Sequence, residues 1–257
     1  MRQKKLFLER KKISRFLSLI AAVLVIGISG CSTPATDPKD TESAANAAAG
    51  LPAYTGDAYV VINNNIPFFT EEEMSETSYE SYGALDSLGR CTTCVASVGT
   101  DLMPTEERGS IGSVKPTGWH TIKYDFVDGR YLYNRCHLLG YQLTGENANT
   151  RNLITGTRYL NVTGMLPFEN MVADYVKETG NHVMYRVTPI FVGEELVARG
   201  VLMEGYSVED SGKGIKYNAF CYNVQPGIEI DYATGDNRLA ASSGEGTTSG
   251  IPECTYV

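Results

Sequence analysis

Tyr131-Leu132-Tyr133-Asn134-Arg135-Cys136-His137-Leu138-Leu139-Gly140-Tyr141 alternates bulky and polar side chains from Tyr131 to Leu139 and then meets a glycine. That pattern predicts a strand ending in a turn. Residues two apart on a strand face the same side, so Arg135 and His137 would present a fixed cation beside a titratable base. The same spacing also suits a half-buried histidine next to a surface arginine, and spacing alone leaves both readings open.

The neighbouring sequence adds oxygen ligands. Asn147, Asn149, Asn152 and Asn161 follow His137, and then come Glu169 and Asn170. Asn147 and Asn149 fit caps and turns. Asn161 falls inside a helix-like stretch although asparagine is a poor helix former. A neutral oxygen suits Mg²⁺, which keeps most of its waters and takes only one or two protein ligands. The other two histidines have blander settings. His120 follows Trp119 in a strand-like run, and His182 follows a helix stop, where a cation is favoured.

Working outward, Asn152 to Met165 reads as a helix interrupted by Gly156 and Gly164. Pro167 suits a first helical position, and Phe168, Met171, Val172, Tyr175 and Val176 form one apolar stripe ended by Gly180. Strand-like runs are expected at Ala58 to Ile62, Val95 to Val98 and Trp119 to Phe126. Others lie at His182 to Val192, Leu196 to Val208, Tyr217 to Val224 and Ile228 to Tyr232. Glu71 to Leu85 reads as a short helix and loop. The sum is an α+β protein, an antiparallel sheet with helices inserted in mid-chain.

Tyr133 to Tyr141, Asn152-Leu153-Ile154, Asn161 and Leu166-Pro167-Phe168-Glu169-Asn170 together resemble the DNA/RNA non-specific endonucleases, the ββα-metal or His-Me finger nucleases. The resemblance covers roughly Asp57 to Gly235. It implies an antiparallel sheet core with an inserted ββα-metal motif, and hydrolysis of DNA, with RNA as a further substrate, without sequence specificity and leaving 5′-phosphates. It further implies His137 as general base, Asn161 as the direct ligand of Mg²⁺ (Mn²⁺ substituting), and Glu169 as the carboxylate that holds water at the metal. Arg135 matches the phosphate-binding arginine, Arg108 a second one, and Asn152 an asparagine supporting the substrate site. The usual Asp-Arg-Gly-His carries Asn134 for Asp and Cys136 for Gly here, and Gly156 stands where relatives can carry a polar side chain.

The chain's beginning reads as an address. Seven basic residues and Glu9 precede or flank the apolar run Phe16 to Ile28, which is short for a membrane span. Ile28-Ser29-Gly30-Cys31 looks like a lipobox with Cys31 as the lipidated residue; an ordinary secretory signal or an uncleaved anchor are the alternatives. Residues 1–31 are thus expected to be a lipoprotein signal and 32–52 a Ser/Thr/Ala/Asp/Pro tether that cannot bury enough surface to fold. A single catalytic domain is expected over 53–236 and a mobile tail over 237–257. The protein would lie outside the cytoplasm, lipid-anchored or secreted, with no obligate protein partner.

The full chain of 257 residues carries −8, and removing the +6 leader leaves −14. Such a balance argues against a protein that coats nucleic acid, because tight backbone binding needs Lys and Arg. It allows an enzyme that touches a few phosphates. Between Asp101 and Leu160 seven basic residues meet six acids, so the acidic excess lies elsewhere. Apart from Cys31 there are five cysteines. Cys91-Thr92-Thr93-Cys94 is open to reading as a redox pair, half a zinc site or a local disulfide. The rival functions are accordingly a non-catalytic lipoprotein that binds extracellular DNA and a zinc-binding lipoprotein.

Overall fold

The computed structural model describes residues 50–241; the expected signal segment with Cys31, most of the expected tether and the end of the expected tail lie outside them. Ten strands occur in this span: β1 (Tyr59–Val61), β2 (Tyr79–Tyr82), β3 (Cys94–Val98), β4 (Tyr133–His137), β5 (Leu153–Thr157), β6 (Val183–Ile190), β7 (Gly200–Ser207), β8 (Lys216–Tyr222), β9 (Ile228–Ile230) and β10 (Asn237–Leu239). Six form one antiparallel sheet in the order β1-β8-β7-β6-β3-β2, while β4-β5 and β9-β10 make two small ribbons. Helix α1 (Tyr141–Thr144) sits in the β4–β5 connection, and a π-helical turn at Leu160–Met165 runs straight into α2 (Leu166–Thr179). No helix among the described residues is long and apolar enough to cross a membrane.

The sheet has two unlike faces because side chains alternate along each strand. Ala96, Tyr185, Gly205 and Tyr217 lie in one cross-strand row. The ring of Tyr217 lies so close over Gly205 that a Cβ there would stand 2.4 Å from it. Phe168 of α2 packs on Tyr217 with ring centroids 4.8 Å apart, and on Tyr59 at 5.0 Å. This face therefore carries α2 and, through it, the β4–β5 ribbon. The next row, Arg186, Glu204 and Asn218, points the other way and is covered by the Ile66-to-Glu73 segment.

Several expectations need correction. Asn152 to Met165 is not an interrupted helix: Leu153–Thr157 is a buried strand paired with β4, and the helical path begins at 158. Three of five residues in that strand, Ile154, Thr155 and Thr157, are β-branched, which favours the pleated conformation. Trp119 to Phe126 forms turns with a single bridge, Lys123 to Tyr131, instead of a strand. Asp125, Asp128 and Gly129 turn the chain there, and Arg130 is left-handed at φ 68°. Glu71 to Leu85 contains β2, because only a 3₁₀ turn at Glu71–Glu73 precedes the Tyr79 and Tyr82 pairings with β3. In α2, Phe168, Val172, Ala173 and Val176 are buried, whereas Met171 is 45% exposed and leaves the stripe. Finally, the tail's first residues are ordered, since β10 pairs with β9.

Candidate active site

The β4–β5 ribbon followed by the helical segment is a ββα unit, and it sets the candidate residues. His137 ends β4, is 5% exposed, and has both ring nitrogens engaged. Nε2 lies 2.9 Å from the carbonyl of Asn147, and Nδ1 lies 3.1 Å from Nη2 of Arg108. A carbonyl only accepts and a guanidinium only donates. The proton therefore sits on Nε2, and Nδ1 keeps the lone pair that a base needs. Burial holds the imidazole below its ordinary pKa; the Asn147 carbonyl opposes this and the Arg108 charge adds to it.

Arg108 touches His137, and Arg135 does not. The Arg135 Nε and Nη2 groups donate to the carbonyls of Val114 and Gly112, and its guanidinium stacks over Trp119 at 4.0 Å from the ring centroid. It clamps the 112–119 loop against β4. The expected pairing of Arg135 with His137 is thus replaced by Arg108 with His137. Asn152, wholly buried, spends its amide on both backbone groups of Leu139: Oδ1 accepts from the N–H at 2.8 Å and Nδ2 donates to the carbonyl at 3.0 Å. That makes it a wholly buried brace for the end of β4, where it was expected to support the substrate site.

Asn161 lies in the π turn, whose extra residue is marked by the Leu166 N–H bonding back to the Asn161 carbonyl. Such turns are often found at functional sites because they redirect a side chain within a helix. Its Nδ2 donates to Oδ1 of Asn134 on β4 at 3.3 Å. Asn161 Oδ1 accepts no hydrogen bond among the described residues, so this hard oxygen is free to ligate. Asn134 Oδ1 also accepts from Arg158 at 3.3 Å, and Arg158 is in turn held by Asp128 at 2.7 Å. An asparagine oxygen can thus take the motif aspartate's accepting place here.

Glu169, half-buried on the first turn of α2, rests against Gly140 so closely that a Cβ at position 140 would stand 2.7 Å from Oε2. It has no ion pair among the described residues. Burial pushes its carboxyl up to about 7, against the opposing effects of Gln142 and Arg108. An uncompensated carboxylate and a free amide oxygen are the donors that Mg²⁺ or Mn²⁺ prefers, so the residues present fit such an ion.

Two departures from the usual motif explain one another. Cys136 fills the space over Gly156, where a Cβ would lie 2.3 Å from its sulfur. The bulk gained on β4 is matched by bulk absent from β5. The remaining thiols are structural in setting. Cys91, Cys94, Cys136 and Cys221 are all unbridged and buried. Cys91 and Cys94 donate to the carbonyls of Leu153 and Arg151, and among the described residues no group of three or more His, Cys, Asp or Glu converges on a metal position. His120 bonds the Thr234 carbonyl and His182 pairs with Glu209, both away from this cluster. Sequence reasoning passed over Asn147, Gly140 and Arg158. Gly140 was read only as the turn after β4, Asn147 only as a cap or turn, and Arg158 only as one basic residue among seven.

The chain matches known proteins in sequence and in fold. The sequence profile of the DNA/RNA non-specific endonuclease family matches residues 70–209. Among solved structures, NucA from Streptococcus agalactiae with magnesium ion bound is 23% identical with a TM-score of 0.67, over 80% of this chain and 99% of that one. Sda1 nuclease with bound zinc ion is 27% identical with a TM-score of 0.57, over 72% and 97%. A ββα unit with a histidine of fixed tautomer, and a profile match spanning more than half the chain, lead to one conclusion: this chain belongs to the DNA/RNA non-specific endonuclease family and is a nuclease.

Proposed function

We propose that the protein hydrolyses DNA and RNA phosphodiesters with His137 as general base and a divalent ion, Mg²⁺ by preference, held by Asn161 and Glu169. The observation that carries this reading is the fixed tautomer of His137. With Nε2 tied to the Asn147 carbonyl, Nδ1 takes a proton from a water that attacks phosphorus in line. Arg108 moves from Nδ1 to the non-bridging oxygens, which frees the base and stabilises the charge gathering there. The P–O3′ bond breaks, the 3′ oxygen takes a proton from solvent, and the product carries a 5′-phosphate. When bound, the ion supplies Lewis-acid stabilisation of the phosphate and of the leaving oxygen. Asn134 supports Asn161, and Arg135 and Asn152 hold the frame. NucA was solved with magnesium and Sda1 with zinc, which supports a divalent ion here.

The sequence before residue 50 supports export, with Cys31 as the anchor point. Plasmid nicking with Mg²⁺, with Zn²⁺ and with EDTA tests the activity: cleavage abolished by EDTA and restored best by Mg²⁺ is expected. Binding of DNA without any cleavage in every metal would replace the enzyme with a capture protein.

A further inference from the structure

The loop that carries Arg108 is pinned on both sides of that residue by groups from the β4–β5 connection. Two residues before it, the Glu106 carbonyl accepts from the Tyr141 hydroxyl at 2.6 Å. One residue after it, the Gly109 N–H donates to Oδ1 of Asn147 at 2.7 Å. Asn147 is also the residue whose backbone carbonyl fixes Nε2 of His137. A closed ring results: His137 Nε2 to the Asn147 carbonyl, the Asn147 side chain to Gly109, and Arg108 back to His137 Nδ1. One asparagine thereby references both the base and the cation to the same point of the backbone. Arg108 is an exposed, rotamer-rich residue on a loop outside regular structure, and without the side-chain link ordering it on a substrate would cost more.

We infer that Asn147 is a positioning residue, which through its side chain sets the Arg108 loop at the distance from His137 that lets Arg108 pass between base and phosphate. Tyr141 assists it from the other side. This rests on the reading of His137 and Arg108 given above. The role is distinct from the backbone contact, which any residue at 147 could supply.

The test measures kcat and KM on a defined DNA duplex with Mg²⁺ for Asn147→Ala, Asn147→Asp, Tyr141→Phe, Arg108→Ala and the double variant Arg108→Ala/Asn147→Ala. Loss of the link is expected to lower kcat/KM about fivefold to tenfold in Asn147→Ala, the scale of one hydrogen bond. Asn147→Asp keeps the accepting oxygen and should stay within about twofold of wild type, on the same scale. Tyr141→Phe should show a smaller loss of the same kind. In the Arg108→Ala background, Asn147→Ala should add almost nothing, because the cation it positions is gone. An equal loss in both backgrounds, or an Asp variant as poor as the Ala variant, overturns the inference. Should Asn147→Ala fail to fold, Tyr141→Phe tested with and without Arg108 decides by the same criterion. A His137→Ala enzyme that cuts at the wild-type rate would instead remove the reading of the site, which is a separate outcome.

Discussion

Glu169 and Glu204 are both carboxylates withdrawn from water, on opposite sides of the same sheet, and they are treated in opposite ways. Glu204, 2% exposed, receives Arg186 Nε at 2.7 Å, Arg186 Nη2 at 3.2 Å and the Phe68 N–H at 2.6 Å. Arg186 also pairs with Glu73 and lies over the Phe69 ring. Every strong group in that cluster is answered by another, which is how a buried charge becomes framework. Glu169 is answered by no cation among the described residues, and burial pushes its carboxyl up to about 7. A carboxyl raised by its surroundings and paired with no cation is the kind of group found where something else binds. The difference separates the face that holds the sheet together from the face that carries the candidate site.

The largest effect expected belongs to the chemical face. His137→Ala should lower kcat by at least about 10²-fold, the scale of a lost general base, with the fold retained and the melt shifted far less than activity. A stopped assay on supercoiled plasmid beside a thermal melt checks both halves. The two glutamates then divide stability from activity. Glu204→Gln leaves Arg186 only partly paired and should cost about 2–3 kcal/mol, several degrees in Tm, while specific activity of the folded fraction stays the same. Glu169→Gln should do the reverse. The raised carboxyl means the metal-free wild type loses stability as pH rises from the ordinary glutamate range to about 7 and stays lower above it. Melts in EDTA at acid and alkaline pH should show that slope in wild type and not in Glu169→Gln, whose Mg²⁺-supported cleavage should collapse. If Glu169→Gln melts lower and cleaves normally, the contrast between the two acids is void.

Smaller effects sharpen the picture around β4. Gly156→Ala drives a methyl into the Cys136 sulfur and should cost about 1–3 kcal/mol. Cys136→Gly, which restores the usual motif residue, should cost about 1–2 kcal/mol through the void and added chain entropy, with turnover little changed. The double variant should recover part of the sum, a coupling visible in urea melts. Smallest is the shift in the acidic limb of kcat. Because the base works neutral and its pKa is held down, activity should persist below about pH 6.5, and Arg108→Ala should move that limb upward by removing one of the two lowering causes.

The fold class and the family could be read from residues 131–170, because the order and spacing of histidine, asparagine and glutamate there exceed what packing alone requires. Helix α2 was legible because its apolar period and its Pro167 and Gly180 ends agree. The strand at 153–157 was obscured by a glycine whose reason is a sulfur on the neighbouring strand, a tertiary fact absent from any local pattern. The π turn at Asn161 was illegible for a similar cause, since its one extra residue per turn leaves no periodic signal in six positions. The exchange of Arg135 for Arg108 beside the base required knowing that Trp119 and two loop carbonyls claim Arg135 first. Adjacency in sequence gave the wrong partner because residue 108 arrives from a loop 29 positions away.

The four buried thiols give the folded protein four internal clocks. Burial raises Cys91 to about 11 and Cys94 to about 12, and raises Cys136 and Cys221 as well. At pH 8 only a very small fraction of Cys91 or Cys94 is thiolate, the form that alkylating reagents and peroxides attack readily. Chemical labelling of the native protein is therefore paced by how often each region opens. Cys91 and Cys94 time the separation of the sheet from the 150–153 segment, Cys136 times the ββα unit, and Cys221 times the strand beneath the π turn. The order in which they react ranks the parts of the molecule by durability, and a bound ion should slow Cys136 and Cys221, which both feel the Glu169 charge, more than Cys91 and Cys94.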